Sequence, residues 1–192
     1  MPRRISGIGS ADPRIAGADF FTNGVWTWRG FVTFYTVFVI DLATRRVQVL
    51  RTTLHPDDAF MRQVVRTLTM ADANPCHLLI CDRDAKWSAA VREPLEEAGM
   101  RMVRTPYAAP NANAYAERFV RSIKEECLDR LSPLGERHFR RAVTEFVAHY
   151  HLERNHQGLG NTLIDGAPTT GTGRVHRQQR LGGLLNYYRR AA

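Results

Sequence analysis

The chain has 192 residues, 44% hydrophobic and 24% charged, which is enough length for one domain with a true core and an ordinary soluble composition. It holds no apolar stretch long enough to cross a membrane, and its Met1-Pro-Arg-Arg4 start lacks the apolar core of a signal peptide. The net charge of +8 is lopsided: residues 1–100 hold 12 Lys/Arg against 11 Asp/Glu (+1), residues 101–192 hold 15 against 8 (+7), which points to a polyanionic partner, nucleic acid first, or else to a generic solubilising surface. All the cations but Lys86 and Lys124 are Arg, whose planar fork suits phosphate. Three cysteines, Cys76, Cys81 and Cys127, make no disulfide framework, and reduced thiols in a cytoplasmic protein are expected.

In chain order, residues 15–28, 31–40 and 45–54 read as three strands, the second and third joined by the short turn Asp41-Leu-Ala-Thr44. Pro56, Asp57 and Asp58 then open a helix with Phe60, Met61, Val64, Val65 and Leu68 on its apolar face. Residues 77–81 are a short buried strand. Ser88 starts a second helix that Gly99 stops, with Val91, Leu95 and Ala98 inward and Pro94 expected to kink it or delay its start. Residues 101–104 make a fifth strand, and helices follow over about 112–131 and 136–152. The turn formers of Thr162–Gly173 read as a linker. The basic tail from Arg174, with Leu181, Leu184, Leu185, Tyr187 and Tyr188, reads as a short helix that docks on the core or on another subunit. The order is that of an α/β protein with a five-stranded mixed sheet flanked by helices.

Three carboxylates carry the chemistry. Asp19 follows the apolar strand entry Ile15-Ala-Gly-Ala18. Asp82 ends the run Cys76-His-Leu-Leu-Ile-Cys81, at the C-terminal end of a strand, where open α/β sheets place their chemistry. Glu117 lies in the opening of a helix, Asn111-Ala-Asn-Ala-Tyr-Ala-Glu-Arg-Phe-Val120. Carboxylate oxygens are what Mg²⁺ takes, and three converging acids can hold two such ions about 4 Å apart around a phosphodiester. The alternative for any such acid is a backbone hydrogen bond at a turn or helix start, which is the expectation for Asp41, Asp57, Asp58 and Asp72. Asp84 is the rival of Asp82 within Cys81-Asp-Arg-Asp84. Asn113, Glu117, Arg121 and Lys124 fall on one helix face. Such a face ligates metal at one end and meets phosphates further along, or else is an exposed face of i, i+4 ion pairs, as suits Glu125, Glu126 and Asp129.

These residues resemble a known family. Ala18-Asp19-Phe20, Phe38-Val-Ile-Asp-Leu42, Cys81-Asp82-Arg83-Asp84, Asn113-Ala-Tyr-Ala-Glu-Arg-Phe119 with Lys124-Glu125-Glu126, and Tyr150-His151 with Arg154-Asn155-His156 and Leu159 look like the integrase core of retroviral-type integrases and bacterial insertion-sequence transposases, the D-D-E phosphotransferases. The likeness runs from about Ile15 to Pro168. It implies a ribonuclease-H-like fold, with residues 1–14 an N-terminal extension, 15–161 the catalytic core and 162–192 a linker and basic tail. It implies Asp19, Asp82 and Glu117 as catalytic residues holding two Mg²⁺ ions, with Mn²⁺ as substitute. Asn113, Arg121 and Lys124 become DNA contacts, and Asp84 falls where the family usually has Gly. The partners implied are the DNA ends of a mobile element, target DNA and further copies of the chain, in the bacterial cytoplasm at the nucleoid. The implied reaction is cleavage at the element's end followed by strand transfer. The alternatives are a nuclease of the same fold that cuts without joining, and an inactive DNA-binding derivative of a truncated transposase. Full-length relatives carry an N-terminal recognition region, so the chain is expected to be a core made apart from it.

Other groupings weigh less. His149, His151 and His156 have no paired cysteines for zinc and fall in the segment closing the core. Cys76 and Cys81 read as buried thiols, and nothing in sequence orients Cys127 as a nucleophile. Trp26, Trp28 and Trp87 read as core or sheet-face aromatics, unless an exposed one stacks on a base.

Overall fold

A computed structural model describes residues 14–70, 76–105, 113–166 and 172–191. Its centre is a five-stranded sheet of β1 (Ile15–Thr27), β2 (Gly30–Asp41), β3 (Val47–Thr53), β4 (Leu78–Cys81) and β5 (Arg101–Arg104), in the order β3-β2-β1-β4-β5. The first three strands are an antiparallel meander; β4 and β5 run parallel to β1. That order and those directions make the fold ribonuclease-H-like, as the sequence leads one to expect. No helix among the described residues is long and apolar enough to cross a membrane.

Alternation along the strands builds two cores. Ala16, Ala18, Val37, Val39, Leu79 and Cys81 face one way and pack against α1 (Asp58–Met70) and α2 (Ala89–Glu97). Phe21, Val25, Phe34, Phe38 and Ile40 face the other way and meet Ala116, Phe119 and Ile123 of α3 (Ala114–Glu126) and Phe139, Val143, Phe146 and Tyr150 of α4 (Glu136–Leu152). Tilted and edge-on ring contacts tie this second layer together, with Phe38 and Phe119 centred 4.8 Å apart.

The turns work as their residues predict. Asp41 Oδ1 accepts the backbone N–H groups of Ala43 and Thr44 at 3.0 and 2.8 Å, and Oδ2 accepts from Arg14 at 3.1 Å. Asp57 Oδ1 accepts from the Phe60 N–H at 2.8 Å, so the first helix begins after it rather than at Pro56. Pro94 sits inside α2, which spans Ala89–Glu97 and is followed by Gly99 at φ +82°. Asp72 lies outside the described residues.

Two expectations are corrected. The tail is a two-stranded antiparallel hairpin, β6 (Val175–Arg180) and β7 (Leu185–Arg190). Gly182 and Gly183, at φ +67° and +93°, supply the turn that a helix would not tolerate. Leu185 is buried in the α3–α4 core, with Leu181 and Leu184 packed beside it. Arg180 fastens the hairpin by binding Glu153 (2.8 Å) and Glu145 (2.8 Å) of the α4 region. The tryptophans also divide. Trp87 is fully buried, but Trp26 and Trp28, at the tip of the β1–β2 hairpin, are 57% and 88% exposed.

Candidate functional site

The sheet itself brings the first two acids together. In the parallel β1–β4 pairing, Ala18 stands opposite Cys81, so Asp19 and Asp82 are the next residues on two neighbouring chains, which run about 4.8 Å apart in a sheet. Ala18 and Cys81 belong to the α1–α2 core. The alternation therefore turns Asp19 and the residue after Cys81 to the opposite face, the one covered by α3. Asp19 is partnered across the sheet by Phe38, a member of that α3–α4 core.

The start of α3 supplies the third acid. Glu117 is exposed in the helix's first turn, and its backbone N–H donates to the Asn113 carbonyl at 3.1 Å. The helix is seated by Asn113, only 6% exposed, whose Nδ2 donates to the Ala18 carbonyl at 3.2 Å. A methyl group at Gly17 would come within 2.5 Å of Asn113 Oδ1, so the absence of a side chain there lets α3 approach β1. Arg121 is exposed and Lys124 half-buried further along the helix. The expected face thus divides: Glu117 and Arg121 meet solvent, while the Asn113 amide is turned into the protein and binds the strand.

The electrostatics record the proximity of these acids. Burial pushes the Asp19 carboxyl up to about 6, and the negative charges of Asp82, Glu117 and Asp84, in that order, push the same way. The Phe20 N–H, donating to Asp19 Oδ1 at 2.7 Å, pulls partly against them. Asp84 is held differently. Its side chain pairs with the Lys86 ammonium and accepts the Lys86 N–H at 2.9 Å. These bonds outweigh burial and hold Asp84 below the usual carboxylate range. Lys86 in turn lies 4.9 Å over the Phe20 ring, on the α1–α2 side. Asp82 Oδ1 also accepts the Asp84 N–H at 3.2 Å, which shapes the turn after β4.

The donor set is all carboxylate oxygen, which suits a hard divalent cation. Among the described residues no three Asp, Glu, His or Cys side chains are already drawn together as a closed ligand set. Residues 106–112, which lead into α3, lie outside the described residues.

The remaining titratable groups have separate partners. His149 Nδ1 bonds Glu153 at 2.8 Å, His151 Nε2 accepts the Val47 N–H at 3.0 Å, and His156 Nε2 bonds the Tyr150 carbonyl at 2.8 Å. Burial pushes the Cys81 and Cys127 thiols up to about 12, which leaves them protonated and poorly nucleophilic.

Comparison with known proteins agrees with part of this picture. Residues 98–162 match the family model described as integrase core domain. That stretch, about a third of the chain, contains Glu117 but neither Asp19 nor Asp82. The crystal structure of the catalytic core domain of BIV integrase aligns with a TM-score of 0.45 and 12% identity, over 58% of this chain and 67% of that one. No curated protein matches the chain.

Proposed function

We propose that this chain is the catalytic core of a DNA transposase or integrase, a D-D-E polynucleotidyl transferase. It cleaves the ends of a mobile DNA element and transfers them into target DNA. The observation that supports this most is the set of like charges around Asp19: the carboxylates of Asp82 and Glu117, from a second strand and a helix, raise its proton affinity. A fold that gathers acids without a matching cation raises its own energy, and a cation-dependent reaction is what makes such an arrangement useful. The integrase core match over residues 98–162 supports the same class, and DNA follows from it as substrate.

In this reading Asp19, Asp82 and Glu117 would hold two Mg²⁺ ions, or Mn²⁺ in their place, which would supply activation of a water or 3′-hydroxyl and stabilisation of the leaving 3′-oxygen. The protein's own contribution is position. Asp19 stands on β1, and Asp82 directly follows Cys81, the last residue of β4 paired with it. Glu117 rides on a helix start locked to β1 through Asn113. Asp84, neutralised by Lys86, shapes the turn behind Asp82. Arg121 and Lys124 continue along α3 and neutralise phosphates of the bound strand. Assembly of several copies on DNA follows from the need to join two ends together.

The test is strand transfer by the purified chain, using a labelled oligonucleotide that carries an element end, with Mg²⁺ or Mn²⁺. Joined product is expected from the wild type and none from Asp82→Asn. Cleavage without joining would assign a nuclease of the same fold. No cleavage by folded protein with either metal would overturn the proposal and leave a DNA-binding derivative.

A further inference from the structure

Around α3 from Glu117, a cavity of about 310 Å³ opens between the end of β2, the β2–β3 turn, the helix and the loop after α4. Three guanidinium side chains line it, those of Arg45, Arg118 and Arg154, with the rings of Tyr115 and Tyr150 between them. Among the described residues no carboxylate lines it. Arg154 is already satisfied, because Glu126 accepts from its Nη2 and Nε at 2.7 and 3.1 Å. Arg45 and Arg118 have no such partner among the described residues.

Arg45 is held there by the fold. Its backbone sits at φ +63°, a left-handed conformation that residues other than Gly, Asn and Asp seldom adopt. Its guanidinium lies 3.4 Å from the centre of the Tyr115 ring, an orienting cation–π contact. Its Nη1 is buried with no hydrogen-bond acceptor. A buried donor left unmade costs free energy, and no acceptor for it stands among the described residues. The group that suits this lining is anionic, because Arg45 and Arg118 line the cavity with no carboxylate among the described residues. It is compact and rich in oxygen, because a guanidinium fork can donate two parallel hydrogen bonds, the geometry that phosphate meets.

We infer that this cavity binds a phosphate group, and that in the working complex the group is a phosphodiester of the DNA strand running past Glu117. The second clause rests on the function proposed above. It follows from Tyr115 and Arg118 flanking Glu117 in the first turns of one helix, so that a strand engaged at the acid passes the cavity mouth. The cavity then sets the register of the strand, gripping one phosphate while another lies at the carboxylates.

Two measurements on the full chain without divalent metal test this. The first follows arginine side-chain Nε–Hε NMR signals during titration with inorganic phosphate. The signals of Arg45 and Arg118 are expected to move, and in Arg118→Ala the Arg45 signal is expected to stay still. The second measures duplex affinity by fluorescence anisotropy across salt concentrations. Arg118→Ala, and Arg45→Asn, which tolerates the left-handed backbone, should each weaken binding about tenfold. Each should also lower the slope of log affinity against log salt by about one. Arg118→Lys should recover part of the affinity. Arg66→Ala, which removes an exposed charge from α1 on the other side of the sheet, should change affinity less than twofold. Pocket variants indistinguishable from Arg66→Ala would overturn the DNA assignment. Phosphate that leaves the Arg45 and Arg118 signals unmoved would overturn the site itself. Failure of the transferase reading is a separate result: a wild type that binds duplex through the cavity but never cleaves would sink that reading alone.

Discussion

Asp19 and Glu153 are both drawn out of water by the fold, yet their surroundings push them in opposite directions. Around Asp19, burial and three neighbouring acids raise proton affinity, and the carboxyl reaches about 6. Around Glu153, burial also raises it, but hydrogen bonds from Arg180 and His149 more than offset this and hold the group below the usual carboxylate range. One acid is surrounded by its own kind; the other is clasped by a guanidinium that pins the C-terminal hairpin to α4. A carboxylate that serves the fold is given its cation by the fold. Asp19, left among other carboxylates, holds its proton more tightly instead.

The sharpest way to break this contrast is chemical. Asp19→Asn, Asp82→Asn and Glu117→Gln should each lower strand transfer at least about a thousandfold, which corresponds to about 4 kcal/mol of barrier, with circular dichroism unchanged. A variant as active as the wild type would remove that residue from the site.

Next comes the clasp. Arg180→Ala leaves Glu153 buried without its cation and should cost about 2–4 kcal/mol in urea unfolding. Adding Glu153→Gln should return part of that loss, because the uncompensated charge goes with it. The sign with pH is fixed. Glu153 is lowered, so its contribution is present at neutral pH and is lost as pH falls through its folded-state value.

Asp19 should behave in the reverse sense. Its folded value of about 6 exceeds the ordinary 3.8, so the protonated form favours the fold and ionisation between these values weakens it. Without divalent metal, Asp19→Asn should stabilise the protein by about 1–2 kcal/mol at pH 8 and by nothing below pH 4. Thermal unfolding at the two pH values, with and without Mg²⁺, reads this directly. Added Mg²⁺ should stabilise the wild type and leave Asp19→Asn little changed.

The smallest effect belongs to Asp84, which resembles Glu153 in being paired. Asp84→Gly removes its bonds to Lys86 and should cost less than about 1 kcal/mol, with strand transfer within about threefold of wild type. A loss as large as that of Asp82→Asn would exchange the two acids' roles.

Much of the sheet was legible because period-2 patterning and turn residues agree in β1 to β3, and because α4 keeps its apolar face through Phe139, Val143, Phe146 and Tyr150. The hairpin tail was misread because Leu181, Leu184 and Leu185 have a spacing that also suits a helix. The Gly182-Gly183 pair was the available turn signal. Asn113 was read as surface because polar residues next to charged ones usually are. Only the tertiary approach of α3 to Gly17 buries it. Trp26 and Trp28 were misjudged by hydrophobicity alone, since a hairpin tip leaves little to bury them against. The cavity of Arg45, Arg118 and Arg154 draws on three distant segments, and no local pattern announces it.

Gly17 has a consequence beyond packing. With Asn113 Oδ1 only 2.5 Å from where a methyl carbon would stand, this glycine works as a spacer of zero thickness between strand and helix. A side chain there would press on the Asn113 amide, the group through which the start of α3 is tied to β1. A residue with no functional group of its own thereby keeps room for the amide that joins helix to strand.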